Sequence, residues 1–462
     1  MKQGPGQMRK ALLFTTFAAG LAMFPAPAFA ADDQALLTRI EQMERALSDL
    51  KARLEQTEGR SVQPASGPDR EQPSAEPPRY RGVTPRASPP VLSDTSIHIA
   101  GYADASLALF DRESGAGSSF GSATFNPALY VQYRDLVLME SELEIAVNQE
   151  GETELELEFA QLDFLLHDNV TLVAGKFLSP VGQFQERLHP SWINRLADAP
   201  PGFGHDGVQP TAEMGLQLRG GIPLGRSRVT YALAVGNGPR LNGAGGVMTE
   251  GFGGDDNGNK AISGRIGFLP VPYFEVGASL LRARVRGPAG EGGDAHVEGA
   301  PLTIASEEEE EGVGLPATDV DYNLWGVDAA YTRGPWDVRF EYLRAGRDSI
   351  SIPMEEGGSM ELLPRLRLTA WYGQLAYRLS GLTRHPVLGN FEPVVRYGEY
   401  KIDGLDELKE EAQEKRFDLG LNYWFAPSIV LHSAFQIRRF TGRHADDDRR
   451  DSRALFKLAY GF

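Results

Sequence analysis

Glu140, Glu142 and Glu144 hold every second position of one run, and Glu154, Glu156 and Glu158 do the same in the next. In an extended chain alternate side chains share a face, so a hairpin of these two runs would turn six carboxylates one way. Such a wall attracts cations and repels anions. Charge is costly on a lipid-facing surface, which leaves two places for it: the inside of a pore, or the solvent above a membrane. Later runs carry the opposite sign on their polar faces, at Arg219, Arg265, Arg339, Arg378, Arg396, Arg416, Arg438 and Lys457. Taken singly, each has a carboxylate such as Asp328, Glu341 or Asp418 to pair with. Taken together, a basic wall facing an acidic one sets a transverse field across a water-filled pore and sorts solutes by charge. Arg282, Arg284 and Arg286 share parity with Phe274, Val276 and Ala278, so they require either a bulge or a position outside the membrane.

The segment 179–211 holds Glu186, Arg187, His189, Trp192, Arg195, Asp198, His205 and Asp206 among Pro180, Pro190, Pro200, Pro201 and Pro210. Proline stiffens a connection through its fixed φ, and a surface loop of this length is unusual. Both features suit a segment folded into a lumen. The separation of His189 from His205 matches no compact ligand motif, so no metal is expected. Catalytic patterns are missing too: no G-x-S-x-G with placed partners, no H-E-x-x-H, and no glycine-rich phosphate loop opening a helix. The glycine-rich stretch 251–258, with Asp255 and Asp256, reads as a plain loop. No enzyme activity and no cofactor are expected. The acidic runs 307–311 and 446–448 read as solvated loop charge, with gathering of divalent cations at lipopolysaccharide as the alternative.

These residues lie on a chain of 462 residues with 46 Lys plus Arg against 63 Asp plus Glu, a formal charge of −17, and no Cys. An acidic chain makes nucleic acid a poor partner, and no disulfide is available. Residues 1–30 read as a secretory signal: Lys2, Arg9 and Lys10 precede the apolar stretch 11–24, and Ala28-Phe29-Ala30 is a small-x-small ending. Beyond it no stretch is long and apolar enough for a spanning helix. The mature chain is therefore either soluble outside the cytoplasm or a membrane β-barrel. Over 31–58, Leu36, Ile40, Met43, Leu47, Leu50 and Leu54 alternate spacings of four and three, the seam of a short coiled coil. So few heptads are marginal alone, and a helix lying on the domain's own surface is the other reading. Residues 59–94, rich in Pro, Ser, Gly and charge, read as a disordered tether.

From residue 95 the pattern changes to short alternating runs, sixteen strands from 95–110 to 452–462. Tight links at Arg134-Asp135, Pro223-Leu224-Gly225, Pro270-Val271, Arg333-Gly334 and Ala426-Pro427 alternate with long polar ones, as in an up-and-down barrel whose rims face different compartments. Phe456, Leu458, Tyr460 and Phe462 oppose Arg453, Lys457 and Gly461, the apolar-out, polar-in order of a membrane barrel. Trp336, Tyr342, Trp371, Tyr377, Tyr397, Tyr423 and Tyr460 lie near strand ends, where interfacial girdles form. A soluble barrel would also alternate, but sixteen strands enclose more space than side chains fill.

Three stretches carry a resemblance. Tyr460-Gly461-Phe462 is similar to the C-terminal aromatic signal of assembled outer-membrane barrels. Ala174-Gly175-Lys176-Phe177-Leu178-Ser179-Pro180-Val181-Gly182 is similar to a porin strand entering its inward-folded third loop, and Tyr231-Ala232-Leu233-Ala234-Val235-Gly236-Asn237-Gly238 is a further match. Residues 95–462 thus resemble Gram-negative outer-membrane porins, in particular the phosphate-selective-porin-like family. The resemblance implies an all-β transmembrane fold, a 16-stranded antiparallel up-and-down β-barrel, assembled as a homotrimer in the bacterial outer membrane with the coiled coil in the periplasm. It implies contact with outer membrane lipid and lipopolysaccharide, recognition of Phe462 by the barrel assembly machinery, and a constriction carrying Glu186, Arg187, Arg195 and Asp198. The implied function is passive diffusion of small charged solutes. Family members selective for phosphate or dicarboxylates use basic lumenal residues, so the Arg set fits anions, whereas the Glu hairpin departs from a simply cationic lumen. An envelope tether, with the barrel as anchor and the coiled coil reaching peptidoglycan or a periplasmic partner, is the alternative.

Overall fold

The computed structural model describes residues 94–110, 117–147, 151–205, 207–241, 246–249, 253–287, 319–353, 360–404, 413–441 and 449–462. The signal segment, the coiled coil, the tether up to residue 93 and the acidic runs 307–311 and 446–448 lie outside them. Eighteen strands follow in chain order: β1 Thr95–Phe110, β2 Ser119–Tyr133, β3 Val137–Val147, β4 Thr153–His167, β5 Val170–Leu178, β6 Ala212–Leu224, β7 Ser227–Asn237, β8 Lys260–Val271, β9 Phe274–Arg286, β10 Asp319–Arg333, β11 Trp336–Arg347, β12 Ile350–Pro353, β13 Met360–Leu363, β14 Leu366–Tyr377, β15 Phe391–Asp403, β16 Gln413–Ala426, β17 Ile429–Thr441 and β18 Arg449–Gly461. Sixteen of them form one closed antiparallel barrel, sealed where β1 pairs β18 from Tyr102↔Gly461 to Phe110↔Arg453. β12 and β13 make a separate hairpin within the connection from β11 to β14.

Closure follows from chemistry. A bilayer core holds no water and would demand that every strand edge be paired, a condition this closed barrel meets, and its strands have the length to cross one. One rim is built from links of two or three residues, apart from 378–390, which holds two short 3-10 turns. Two tight links sit differently from expectation. Pro223 and Leu224 close β6, and Pro270 and Val271 close β8, so the turns fall just beyond them, at Gly225 (φ 63°) with Arg226 and at 272–273. β5 pairs β6 only as far as Arg219, so the missing N–H of Pro223 faces no neighbour on that side, a place where a strand tolerates proline.

Period-two alternation sets the two faces of the wall. Buried Asp328, Glu341, Asp418 and Gln436 point inward, while Leu216, Leu233, Ile266, Phe340 and Leu458 stand exposed on the outside. Aromatic pairs ring the outer face at two heights. Trp336–Tyr377 (4.5 Å) and Phe391–Tyr423 (4.9 Å) lie near the short links, and Trp325–Tyr342 (5.3 Å) and Trp371–Tyr397 (5.5 Å) lie nearer the long loops.

Register decides the position of Arg282, Arg284 and Arg286. β9 pairs β10 without a shift from Phe274↔Tyr331 to Arg286↔Asp319, so no bulge intervenes and the three arginines point outward at the long-loop end. They continue into a row on later strands, with Arg344, Arg367, Lys401, Lys415, Arg439 and Arg450 on the same outer parity, interspersed with Asp319, Asp321, Glu399 and Asp403. The outer face of β1–β7 differs: among the described residues its one charged side chain is Lys176.

Candidate functional site

The connection 179–211 crosses the lumen, and the inner wall explains why. Leu281, Leu324, Leu343, Leu366 and Tyr372 are buried on inward positions of β9–β14, an apolar patch on what is otherwise the polar face. Val181, Phe184, Leu188, Phe203 and Val208 of the loop seat against it. Phe203 meets Tyr372 edge-on at 5.0 Å, and each large side chain buried here is worth roughly 1.5–3 kcal/mol. The backbone enters and returns on glycines in the left-handed region, Gly182 (φ 72°) and Gly202 (φ 75°). A Cβ on Gly182 would run into the Glu341 carboxylate, and one on Gly202 would lie 2.7 Å from Ala370 Cβ.

Polar anchors fasten the rest. Ser179 Oγ donates to Glu213 (2.6 Å), the Gly182 amide to Ser279 Oγ (2.9 Å) and the Gln183 amide to Glu341 (2.9 Å). The short helix α1 (Phe184–Arg187) ends on Arg187, which donates to Glu275 at 2.7 Å. Arg195 lies 3.4 Å from Asp337 and stacks over Trp424 at 5.3 Å. Buried His432 bonds Asn422 through Nδ1 and the Ser191 carbonyl through Nε2. Asp198 is the hub: it accepts from Arg396, Arg453 and Gln436 (3.0, 2.9 and 2.9 Å) and lies 3.1 Å from Arg416. Burial would raise the Asp198 carboxyl, but Arg416, Arg396 and Arg453 outweigh burial and hold it well below the usual carboxylate range.

All eight basic residues singled out from sequence share the inward side, but not one environment. Arg396 has no solvent exposure and Arg265 and Arg416 are buried. Arg396 and Arg416 sit between wall and loop and anchor it, so neither faces open water. Arg265 is held by Asp328 (2.6 Å) and Glu275 (2.9 Å) and only touches a cavity edge. Arg219 pairs Asp163, Arg339 pairs Asp337 (2.9 Å), Arg438 pairs Asp451 (2.7 Å) and Lys457 lies 3.6 Å from Asp104. Arg378 lies just past β14, over the Trp424 ring at 4.3 Å.

Of the six glutamates, Glu140, Glu142 and Glu144 pair in register with Gln161, Phe159 and Glu156, and Glu154 pairs Ala146. The register slips between Glu142 and Leu143, leaving Glu158 as the extra residue of a bulge. Phe159, which simple alternation groups with outward-facing Leu155 and Leu157, is thereby opposite Glu142 and 8% exposed. His189 and His205, far apart in sequence, each reach this wall, 3.8 Å from Glu142 and Glu158 respectively. Alternation alone could have flagged the inward residues it passed over, Asn126, Asp163, Glu275, Asp337 and Glu392. Their pairings needed the closed barrel.

Two cavities flank the loop. One, about 350 Å³, is lined by Glu186, Arg187, Arg219, Tyr231 and Arg265; the other, about 560 Å³, by Arg195, Trp336, Asp337, Arg339, Arg378 and Glu392. The first has three guanidiniums against one carboxylate, the second three against two.

Residues 274–462 match the family model described as phosphate-selective porin O and P. Among solved structures, the anion-selective porin from Comamonas acidovorans is similar at a TM-score of 0.49 and 10% identity, over 80% of this chain and 100% of that one. Salmonella typhi OmpF in complex with daunomycin gives 0.48 at 12%, over 80% and 98%. The Vibrio cholerae outer membrane protein OmpT in its trimer form gives 0.47 at 13%, over 80% and 99%. No curated protein matches the sequence.

Proposed function

We propose that the chain is an outer-membrane porin akin to the phosphate-selective porin family, whose model matches residues 274–462, that it is a channel for small solutes which prefers anions, and that the 179–211 loop forms its constriction. The excess of guanidinium groups over carboxylates in the two cavities flanking the loop carries this reading. Arg187, Arg195, Arg219, Arg339 and Arg378 are the residues a passing anion meets, with Glu186 beside Arg187. Arg438 and Lys457 add positive charge along the same wall, while Arg396, Arg416 and Asp198 hold the loop in place and Arg265 stays bound to the wall residues Asp328 and Glu275. The Glu140–Glu158 hairpin forms the opposing wall, and a field between walls of opposite sign orients dipolar solutes.

The apolar outer face of β1–β7 suits contact with two further copies in a homotrimer, the mature chain's coiled coil over 31–58 adding register from the periplasm through the 59–94 tether. The outward basic row from Arg282 to Arg450 suits the phosphates of outer membrane lipid and lipopolysaccharide, and Phe462 suits recognition by the barrel assembly machinery.

Reversal potentials across planar bilayers in a tenfold KCl gradient test the preference. The wild type is expected on the anion side. Arg187, Arg219 and Arg339 changed together to Gln should move it toward cations. Changing Glu140, Glu142, Glu144, Glu154, Glu156 and Glu158 to Gln should move it further toward anions, most at low salt, because screening shrinks to about 3 Å at 1 M. A cation-selective wild type, or one indifferent to the arginine changes, would overturn anion preference; a barrel that never conducts would leave only the anchor role.

A further inference from the structure

The acidic wall has a feature that the anion reading leaves unused. Among the described residues no Arg or Lys lies within ion-pair distance of Glu142, Glu144 or Glu158; the ionisable partners of Glu142 and Glu158 are the loop's His189 and His205, each at 3.8 Å, and Glu142 also takes a hydrogen bond from the Tyr102 hydroxyl. Glu142 is 6% exposed and Glu158 3%. Buried carboxylates side by side without a cation are strongly unfavourable. One oxygen each of Glu144 and Glu158 and one ring nitrogen of His205 already lie within 4.8 Å of one another. Asn126 Nδ2 donates to Glu144 (3.3 Å) and to the Tyr102 hydroxyl (3.0 Å), which holds that side of the cluster in place.

A second observation points the same way. Glu142 Oε1 and His189 Nε2 are buried, face each other and have no hydrogen-bond partner. His189 Nδ1 is bonded to the Gln185 carbonyl. A carbonyl oxygen only accepts, so Nδ1 carries the proton and, on a neutral ring, Nε2 presents its lone pair to a carboxylate. That contact is repulsive unless a proton or a metal ion stands at it. A backbone carbonyl on the far ring nitrogen is also how metal-binding imidazoles are oriented.

We propose that a divalent transition-metal ion of the zinc type binds between the acidic wall and the 179–211 loop, with Glu144, Glu158 and His205 as donors and the Glu142–His189 pair beside them. Imidazole with carboxylate is a donor set that zinc accepts, whereas calcium and magnesium take oxygen alone. Donors about 2 Å from zinc stand about 3.4 Å apart in a tetrahedral site, so donors now within 4.8 Å of one another would have to draw together on binding. The β4 bulge matters here, since the extra residue it inserts is Glu158. Bound metal ties the returning limb of the loop to β3 and β4, opposite the arginine anchors on β15–β18. It thereby fastens the loop across the lumen and reduces current, an effect that rests on the channel reading, whereas binding itself does not.

Isothermal titration of zinc chloride into the detergent-solubilised mature protein tests the site. We expect one saturable zinc per chain, at least tenfold weaker binding in Glu158→Gln and in His205→Ala, and unchanged binding in Glu140→Gln, which lies on the same wall outside the donor set. His205 belongs to a loop and is half exposed, so His205→Ala keeps the test open even if Glu158→Gln disturbs the wall. Zinc should lower single-channel current in the wild type but not in His205→Ala. No saturable binding, or equal binding in all three variants, would overturn the site. A protein that binds zinc in this pattern yet never conducts would overturn the channel reading alone.

Discussion

Asp198→Asn keeps the shape of the loop's hub and removes the charge that three guanidiniums share. Arg396, Arg453 and Arg416 all lie within 3.1 Å of the Asp198 carboxylate, and Arg396 has no exposure to water. Removing one partner of a buried ion pair costs about 3–5 kcal/mol. The Asp198 side chain is 23% exposed, and Arg396 and Arg416 retain Asp418, so the loss belongs at the lower end, about 3 kcal/mol. At tenfold per 1.4 kcal/mol that raises the population of released loop roughly a hundredfold. The pH dependence has a definite sign. The folded carboxyl is held below its unfolded value of about 3.9, so its stabilisation is complete above that value and is lost only as pH falls through the depressed one. Single-channel recordings at pH 7 and pH 5 check both points. The wild type should give steady current at both; the variant should flicker to larger openings at both and shift toward anions. Steady openings of wild-type size with an unchanged reversal potential in the variant would refute the hub.

Phe462→Asp should abolish heat-modifiable barrels on gels and expose the chain to periplasmic proteolysis. Phe462 stacks on Phe125 (6.0 Å) and closes the seam by exchanging backbone bonds with Gly101 (3.0 and 3.1 Å), so normal assembly would contradict both roles. Deleting 31–58 should leave trimers in detergent that dissociate at lower temperature. An unchanged dissociation temperature would remove the coiled coil from the assembly, and monomers from the full-length protein under mild extraction would remove the trimer.

Strand positions and faces were legible in the chain because both are local. A side chain's face follows from counting by two, and lipid penalises any charge placed on the wrong side. That is why Arg219, Glu341 and Lys457 could be put inside and Leu458 and Phe462 outside from their neighbours alone. Counting fails wherever something breaks the count or sets a height. The bulge at Glu158 moved Phe159 to the face of Glu142, and the unbroken register of β9 placed Arg282, Arg284 and Arg286 at the loop end of the outer wall. The loop's course was hidden for a different reason. Its seat is assembled from Leu281, Tyr322, Leu343 and Tyr372, which lie on four strands and come together only when the barrel closes. The one local hint was the lapse of alternation at Leu280-Leu281. The same closure decided which arginines became buried anchors and which remain beside water, and brought His189 and His205 to two glutamates that sequence spacing had set apart. A face is a property of two residues in a row, whereas a pairing across the lumen depends on the whole ring.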